Sequence, residues 1–514
     1  VVLLATCSPA AAQAPVTPTV VADKIINGVF DWGSPSVGFF VNPRVDGITS
    51  CSGTLIGCET FVTAAHCVCS DFSGGIDVLP GSECRTRADL LDPAGKRVFF
   101  QHAGFFDVAE VTVDPGFRPG HGHDFAILRL ARSVTGVRPS RINQAARPAI
   151  GSPAVIVGFG RTGADRDDRG LKRSGHLVLA QCRRAEADRH LCFDYRPPLG
   201  PPGTESSVSG GDSGGPLFAD LGGGPRLAAV TSGGHPISPE LLNNFSGDVF
   251  ANRAWIAEVA GADLGASACG TEPAPFAGEA GSSILFGSGM LSEQVPGTRF
   301  DLEVPPGTAS LRLGLNGEFP FTNEVDLYLR AGTAATPDAF DCASKRAGAL
   351  EFCEVANPEP GTWHVLARRV AGEGRFQVTA TLLSQGAAPG GGAPDPPPGP
   401  WLSSSTLPGF EAKVRFNGAT PGAAEPACIP ESLCVSGALA GRPEVFLKVI
   451  GPRPNGMLWA QISRFTPSRV EIWMRQVSTG QVEFYELGPV GPASDDVSGL
   501  QDRQAFSPAL LGRR

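Results

Sequence analysis

Beyond its first few positions, nothing in the 514-residue chain is apolar for long enough to span a bilayer, so no stable membrane insertion is expected. Charge is scarce as well. Only 18% of residues carry one, and the formal net charge of −9 gives no general pull toward a phosphate backbone, so no nucleic-acid partner is expected. A glycine-rich phosphate cradle and a convincing metal-ligand spacing are both missing, so neither a cofactor nor a metal is expected. What is plentiful is Gly (66) and Pro (46) beside 42% hydrophobic residues, a mixture that needs many turns and favours short strands over long helices. The length exceeds what one core can fill, which predicts two or three domains.

Val1 to Ala5 and the small residues through Ala12 read as the tail of a secretory signal, with Ala10-Ala11-Ala12 before Gln13 as its cleavage site. That predicts a secreted protein, extracellular or periplasmic. A disordered apolar end and a lipid-modified Cys7 are the competing readings, the second weakened by Thr6, which is bulky for the residue before such a cysteine. Setting Cys7 aside leaves 12 of the 13 cysteines, an even number that suits an oxidising compartment. Cys182/Cys192, Cys342/Cys353 and Cys428/Cys434 sit at spacings that close small loops, each bridge contributing roughly 2–4 kcal/mol. Cys51, Cys58, Cys67, Cys69 and Cys84 cluster without a unique pairing, and the partners of Cys58, Cys69, Cys84 and Cys269 stay open. A zinc site at Cys67-Val68-Cys69 beside His66 lacks the second Cys/His pair it needs.

Along the chain, residues 1–24 are assigned to signal remnant and propeptide. Residues 25–260 alternate short apolar runs with Gly, Pro and Asp, the pattern of a β-barrel or sandwich, and Arg253 to Val259 read as a closing helix. Composition then turns to Ala, Gly, Ser and Pro, giving a linker over 261–279. A β-rich unit over 280–383 follows, with strands at Arg299–Val304, Ser310–Leu313, Asp326–Leu329 and Thr362–Leu366. The Gly/Pro tract of 384–405 is stiff and solvated, and separates a last β-rich module over 406–514. There, Val470–Met474 and Gln481–Tyr485 flank Ser478-Thr479-Gly480 as a hairpin.

The chemistry sits in the 25–260 region. A serine hydroxyl is a poor nucleophile until an imidazole accepts its proton, and the imidazole needs a buried carboxylate to fix its tautomer. Ser213 lies in Gly210-Gly211-Asp212-Ser213-Gly214-Gly215-Pro216, where the Gly211 and Ser213 N–H groups can converge on an oxyanion. His66 ends the run Phe61-Val62-Thr63-Ala64-Ala65, and Asp124 opens Phe125-Ala126-Ile127-Leu128. Singly these read as a core histidine, a strand-leading turn residue and a flexible loop serine. Jointly, in this order, the dull readings lose.

Thr63-Ala64-Ala65-His66-Cys67, Asp124-Phe125-Ala126-Ile127-Leu128 and Gly211-Asp212-Ser213-Gly214-Gly215-Pro216 resemble the motifs of the trypsin/chymotrypsin serine peptidases. The resemblance covers about Ile25 to Ala260. It implies an all-β fold, a double β-barrel with the site between the barrels, a His66, Asp124, Ser213 triad, a peptide or protein substrate and a monomer. It also implies the disulfides Cys51/Cys67 and Cys182/Cys192, and it reads Gly158-Phe159-Gly160 as the family's Gly-Trp-Gly. Lys24 before Ile25-Ile26-Asn27-Gly28 resembles the family's activation site, with Asp212 as partner of the freed N-terminus. Ser232-Gly233-Gly234 resembles the substrate-pairing strand, and Ser207 falls at the base of the specificity pocket. The chain departs from the family at Ser209, often a cysteine, and at Gly233, usually a tryptophan.

Asp248, aligned opposite Ser207, would supply a carboxylate for basic substrates if it points inward, and is an exposed loop aspartate if it does not. His121-Gly122-His123 before Asp124 read as loop histidines rather than metal ligands. Val325–Leu329, the Cys342/Cys353 pair and Pro360–Val365 resemble the bacterial pre-peptidase C-terminal domain, which implies a small β-sandwich; its tryptophan and alternating strands read as core, and calcium binding by acidic residues such as Asp326 stays open. Two β-sandwich-like modules after the double barrel are thus expected. The competing function, an inactive protease-like adhesion or binding protein, is opposed by the complete triad.

Overall fold

The structure is a computed structural model that describes residues 25–44, 47–71, 77–163, 166–197, 200–221, 225–266, 269, 274–275 and 283–384, with the strands and short connections named below between 397 and 506. Strands Val37–Arg44, Gly47–Leu55, Thr60–Thr63, Ala126–Leu130, Gly104–Val113 and Arg97–Phe100 close, in that spatial order, into a six-stranded antiparallel barrel. Alternation explains the closure. In Gly104–Val113, Phe106, Val108, Val111 and Val113 are buried while Asp107, Ala109 and Glu110 face water. Phe40, Phe61, Phe100 and Phe125 fill the interior.

A second barrel runs Arg173–Ala180, Pro153–Gly158, Pro216–Asp220, Pro225–Ser238, Leu241–Asp248 and His190–Tyr195, the last strand pairing back on the first through Leu179↔Phe193. Val29–Phe30 adds to its edge. The domain ends in the helix Val249–Ala260, whose buried Val249, Asn252, Ile256 and Ala260 recur at helical spacing. Predicted from Arg253, this helix begins four residues earlier because Asp248 caps it, its carboxylate accepting the Phe250 N–H at 2.9 Å. Just after the helix, Asp263 accepts the Cys58 and Glu59 N–H groups at 2.9 Å and the Thr60 hydroxyl at 2.6 Å. Bonds of this kind to a charged acceptor stabilise by about 1.5–3 kcal/mol each, and here they tie the end of the helix to the first barrel.

The bridges Cys51–Cys67, Cys182–Cys192 and Cys342–Cys353 are as expected, and Cys58–Cys269 and Cys69–Cys84 complete the peptidase-like half. The sulfurs of Cys67 and Cys69 are therefore not thiolates, which removes the zinc alternative beside His66. Cys434 is disulfide-bonded, and its expected partner Cys428 lies outside the described residues.

The second module is a sandwich. One sheet contains Ala274–Pro275, Gly374–Ser384, Thr308–Gly317 and Leu350–Ala356, with Ser283–Leu291 also on Gly374–Ser384; the other runs Gly297–Val304, Gly361–Ala371, Glu324–Ala331 and Cys342–Ser344. Leu311, Leu313, Val365, Trp363, Phe376 and Val378 lie in the core between them. Ala274–Pro275 falls inside the span expected to be linker, yet it pairs with Leu383 and Ser384 and so belongs to this sheet. The last module is a second sandwich. Leu402–Ser403, Phe410–Phe416, Val470–Gln476 and Val482–Leu487 form one sheet, joined by Thr420–Pro421. Ala423–Ala424, Ser432–Ser436, Val445–Ile450, Leu458–Arg464 and Gly499–Phe506 form the other. The expected hairpin pairs as Val470↔Leu487 to Arg475↔Val482, and its Ser478-Thr479-Gly480 turn lies outside the described residues. No described helix is long and apolar enough to cross a membrane.

Candidate active site

His66 sits in the short 3₁₀ turn Ala65–Cys67 that ends the strand Thr60–Thr63, and the Cys51–Cys67 bridge fixes that turn to the neighbouring strand. Asp124 lies just ahead of Ala126–Leu130, the strand paired with Thr60–Thr63. The ladder brings the two residues together. The His66 N–H donates to Asp124 Oδ1 at 2.9 Å, and the ring Nδ1–H donates to Oδ2 at 2.7 Å. Ser232 donates its hydroxyl to the same Oδ2 at 2.5 Å. This holds the imidazole in the tautomer whose Nε2 carries the lone pair.

Asp124 is 2% exposed, whereas the His66 side chain keeps 22% of its surface open to an approaching reactant. Burial alone would raise the Asp124 carboxyl, but the charge and hydrogen bonds of His66, with that of Ser232, hold it below the ordinary carboxylate range. For His66, burial works against the charged form, and the charge and hydrogen bond of Asp124 outweigh it, so the imidazole is held above its ordinary value.

The Ser213 loop packs beneath the same strand end. Gly211 (φ +100°) and Gly214 (φ +80°) adopt conformations that favour glycine. A Cβ on Gly214 would lie 2.0 Å from Thr63 Oγ1 and 2.8 Å from the Ala64 nitrogen, so only a bare backbone fits against the segment leading to His66. The Ser213 carbonyl accepts the Ser52 N–H at 2.8 Å. Ser52, unremarked in the sequence, links two further loops: its hydroxyl donates to the Gly211 carbonyl and accepts the Phe159 N–H, both at 2.9 Å. Asp212 is 1% exposed and accepts N–H groups from Gly160 at 2.8 Å and Ser209 at 2.9 Å. Ile25 is fully buried in the second barrel's core, and Ile26 bridges to Ser207; Lys24 lies outside the described residues.

At the expected pocket base, the Ser207 hydroxyl meets Asn244 Oδ1 at 3.2 Å. Asn244 is paired with Gly234 across the sheet, is 1% exposed, and its Nδ2 has no partner among the described residues. Asp248 is elsewhere. It pairs with Ala229, caps the helix and lies 3.6 Å from Arg147, so the expected carboxylate opposite Ser207 is corrected to an amide. A signal was present: an aspartate followed by Val249-Phe250-Ala251-Asn252 is an N-cap pattern. Gly233 faces Phe245, whose ring would be 2.9 Å from an added Cβ and stacks on His235 at 4.6 Å, so an aromatic from the adjacent strand covers the place where the family's tryptophan is missing.

The remaining candidates separate from the site. His121 pairs with Glu186 at 2.7 Å and His123 with Asp114 at 3.0 Å, each with its own carboxylate. Asp326 accepts the Tyr328 hydroxyl at 2.7 Å.

Residues 35–256 match the family described as Trypsin, and residues 298–369 match the bacterial pre-peptidase C-terminal domain. The cercarial protease of Schistosoma mansoni is 30% identical over 221 residues, covering 39% of this chain and 75% of that protein. The chain belongs to the trypsin family. Trypsin alpha-4 of Lucilia cuprina is 27% identical over 252 residues, covering 46% of this chain and 88% of its own. The human chymotrypsin-like elastase family member 1 is 29% identical over 204 residues, covering 36% and 69%. These relatives support peptidase function for the trypsin-family domain.

A general base at His66 would have to be neutral to accept a proton, so that role predicts that kcat/KM rises with pH through an apparent pKa above the ordinary histidine value of 6.5. In Asp124→Asn the charge that raises it is gone, so the limb of the residual activity should move to lower pH. A pH–rate profile whose limb stays in place would assign it to another group.

Proposed function

We propose that the chain is a secreted serine endopeptidase that cleaves peptide bonds through an acyl-enzyme, with Ser213 as nucleophile, His66 as general base and then acid, and Asp124 as its orienting carboxylate. The observation that carries this reading is the His66–Asp124 pair, both carboxylate oxygens engaged by one histidine beside the glycine loop of Ser213. The Ser213 hydroxyl loses its proton to His66 as its oxygen attacks the substrate carbonyl. The tetrahedral oxyanion is met by the Gly211 and Ser213 N–H groups; each such donor is worth about 3–4 kcal/mol in comparable sites. His66 then protonates the leaving amine, and water repeats the sequence to release the acyl group.

Ser232-Gly233-Gly234 is the edge we assign to substrate pairing. With Ser207 facing an amide at Asn244 and Asp248 turned to the helix N-terminus, neither expected position offers a carboxylate to a lysine or arginine, which favours an uncharged residue at the cleaved bond. Activation by cleavage after Lys24 is supported by the burial of Ile25 and by Asp212, sealed in the core one residue from the nucleophile. Secretion is supported by the disulfides.

A serine-directed organophosphonate should label the mature chain at Ser213, and Ser213→Ala should lower kcat by at least about 10³-fold with unchanged thermal unfolding; a fully active, folded variant sinks the assignment. On matched peptides, Ala, Leu or Phe at the cleaved position should be preferred over Arg and Lys by about tenfold or more, and Asp248→Ala should leave that ratio alone while costing about 1 kcal/mol of stability through the lost cap. Preference for Arg would reject the pocket reading. Chain carrying Lys24→Gln, isolated uncut, should be inactive beside a form that begins at Ile25; equal activities would exclude the zymogen step.

A further inference from the structure

The second module carries a sheet with two chemically different faces. Along Thr308–Gly317, Leu311, Leu313 and Leu315 enter the module's own core, so Arg312, Gly314 and Asn316 face the other way. The adjoining strand Gly374–Ser384 repeats the pattern, with Val378, Ala380 and Leu382 inside and Gln377, Thr379 and Thr381 outside. Such a polar face normally meets water. Here Asn316, Gln377, Thr379 and Thr381 are all 0% exposed, covered by the peptidase domain.

Beside side-chain pairs such as Gln101 Nε2 donating to Asn316 Oδ1 at 2.7 Å, several contacts grip backbone. Gln377 Oε1 accepts the Lys172 N–H at 2.7 Å while its Nε2 donates to the Lys172 carbonyl at 3.1 Å, so one amide side chain closes on both polar groups of a single residue. Asn316 Nδ2 donates to the Gly170 carbonyl at 2.8 Å, and the Phe319 N–H donates to the Arg169 carbonyl at 3.1 Å. Beside them Phe321, Leu350 and Phe352 join Phe39, Phe99 and Phe159 in one apolar cluster.

The gripped segment leads directly to the nucleophile loop. Gly170 donates its N–H to the Phe159 carbonyl at 2.9 Å, Gly160 donates to Asp212 at 2.8 Å, and Arg161 donates to the Gly210 carbonyl at 2.9 Å. There is no slack in the path. A Cβ on Gly170 would lie 2.2 Å from the Gly317 carbonyl of the second module, and one on Gly160 would lie 2.5 Å from the Asp212 carboxyl carbon.

We propose that the second module is a built-in buttress of the nucleophile loop, with Gln377 and Asn316 as positioning residues that hold Arg169 to Lys172 and thereby the Gly160–Asp212 bond behind the oxyanion-binding N–H groups. This rests on the peptidase reading given above. It makes the module part of the catalytic apparatus rather than a tethered accessory.

Two full-chain variants test it. Gln377→Met removes both amide bonds to Lys172, together with the bond that Oε1 accepts from Asn316 Nδ2 at 2.9 Å, at similar side-chain size. Gly314→Trp wedges the modules apart, because even a Cβ there would lie 2.1 Å from the Gln101 carbonyl, and it points away from the module's own core. Both should lower kcat by about tenfold or more, short of the 10²–10³-fold loss of an outright missing donor, with KM little changed and faster amide exchange at Gly170 and Lys172. Arg312→Met loosens the same interface at Thr135 instead, where Arg312 donates at 2.6 and 3.1 Å, and should leave kcat close to the parent's. If Gln377→Met does not fold, Gly314→Trp decides. A labelled, active parent whose variants keep parental kcat, or whose Arg312→Met falls as far as Gln377→Met, overturns the buttress alone. A parent that is neither labelled nor active overturns the peptidase reading and the buttress with it.

Discussion

Asp212 is the constraint around which the site is assembled. Its carboxylate is sealed from water and met by two backbone N–H groups, and the residues packed on it are glycines by necessity: a Cβ on Gly158 would lie 2.3 Å from Oδ1, and one on Gly160 2.6 Å from either oxygen. A buried carboxylate is costly unless its lone pairs are filled, and these two bonds help hold the loop in the arrangement described. From this one fixed point the strand Pro153–Gly158, the Ser52 hydroxyl and the glycine loop take their relative places, and the strand end bearing His66 is pressed onto Gly214.

Electrostatics at the histidine follow from the same economy of water. The ring and carboxylate of His66 and Asp124 are shielded enough for their mutual attraction to outweigh the penalty of burial on each. Elsewhere the balance tips the other way. Lys172, fully buried where the two modules meet, lies 3.6 Å from Asp31 and donates to the Ser34 carbonyl, yet burial brings its ammonium down to about 8. One group gains from a short, two-point contact; the other has a more distant counter-charge.

Local chemistry was legible in the sequence, and distance was not. His66, Asp124 and Ser213 each stand inside a contiguous motif, and the strand alternation of Gly104–Val113 or Arg299–Val304 is visible within a single window. Asp248 was misread because two local rules competed, a strand-end alignment and an N-cap, and the cap wins when the next residues turn helical. Asn244 was invisible because its importance comes from its contact with Ser207, 37 residues away in sequence. The partner of Cys58 lies 211 residues on. The polar row of Arg312, Asn316 and Gln377 gives no sign of its burial, since alternation says which face is polar and not whether water reaches it.

The Cys58–Cys269 bridge also changes what a broken backbone means. It converts almost the entire double barrel into a closed ring, so a cut at any one peptide bond between those cysteines opens the ring without dividing the molecule. Both barrels, and the sandwich that follows Cys269, remain one covalent object. For a peptidase surrounded by copies of itself, accidental nicks in surface loops become internal scars rather than losses of parts, and His66, Asp124 and Ser213, which all lie within the ring, stay tethered to one another after such a cut.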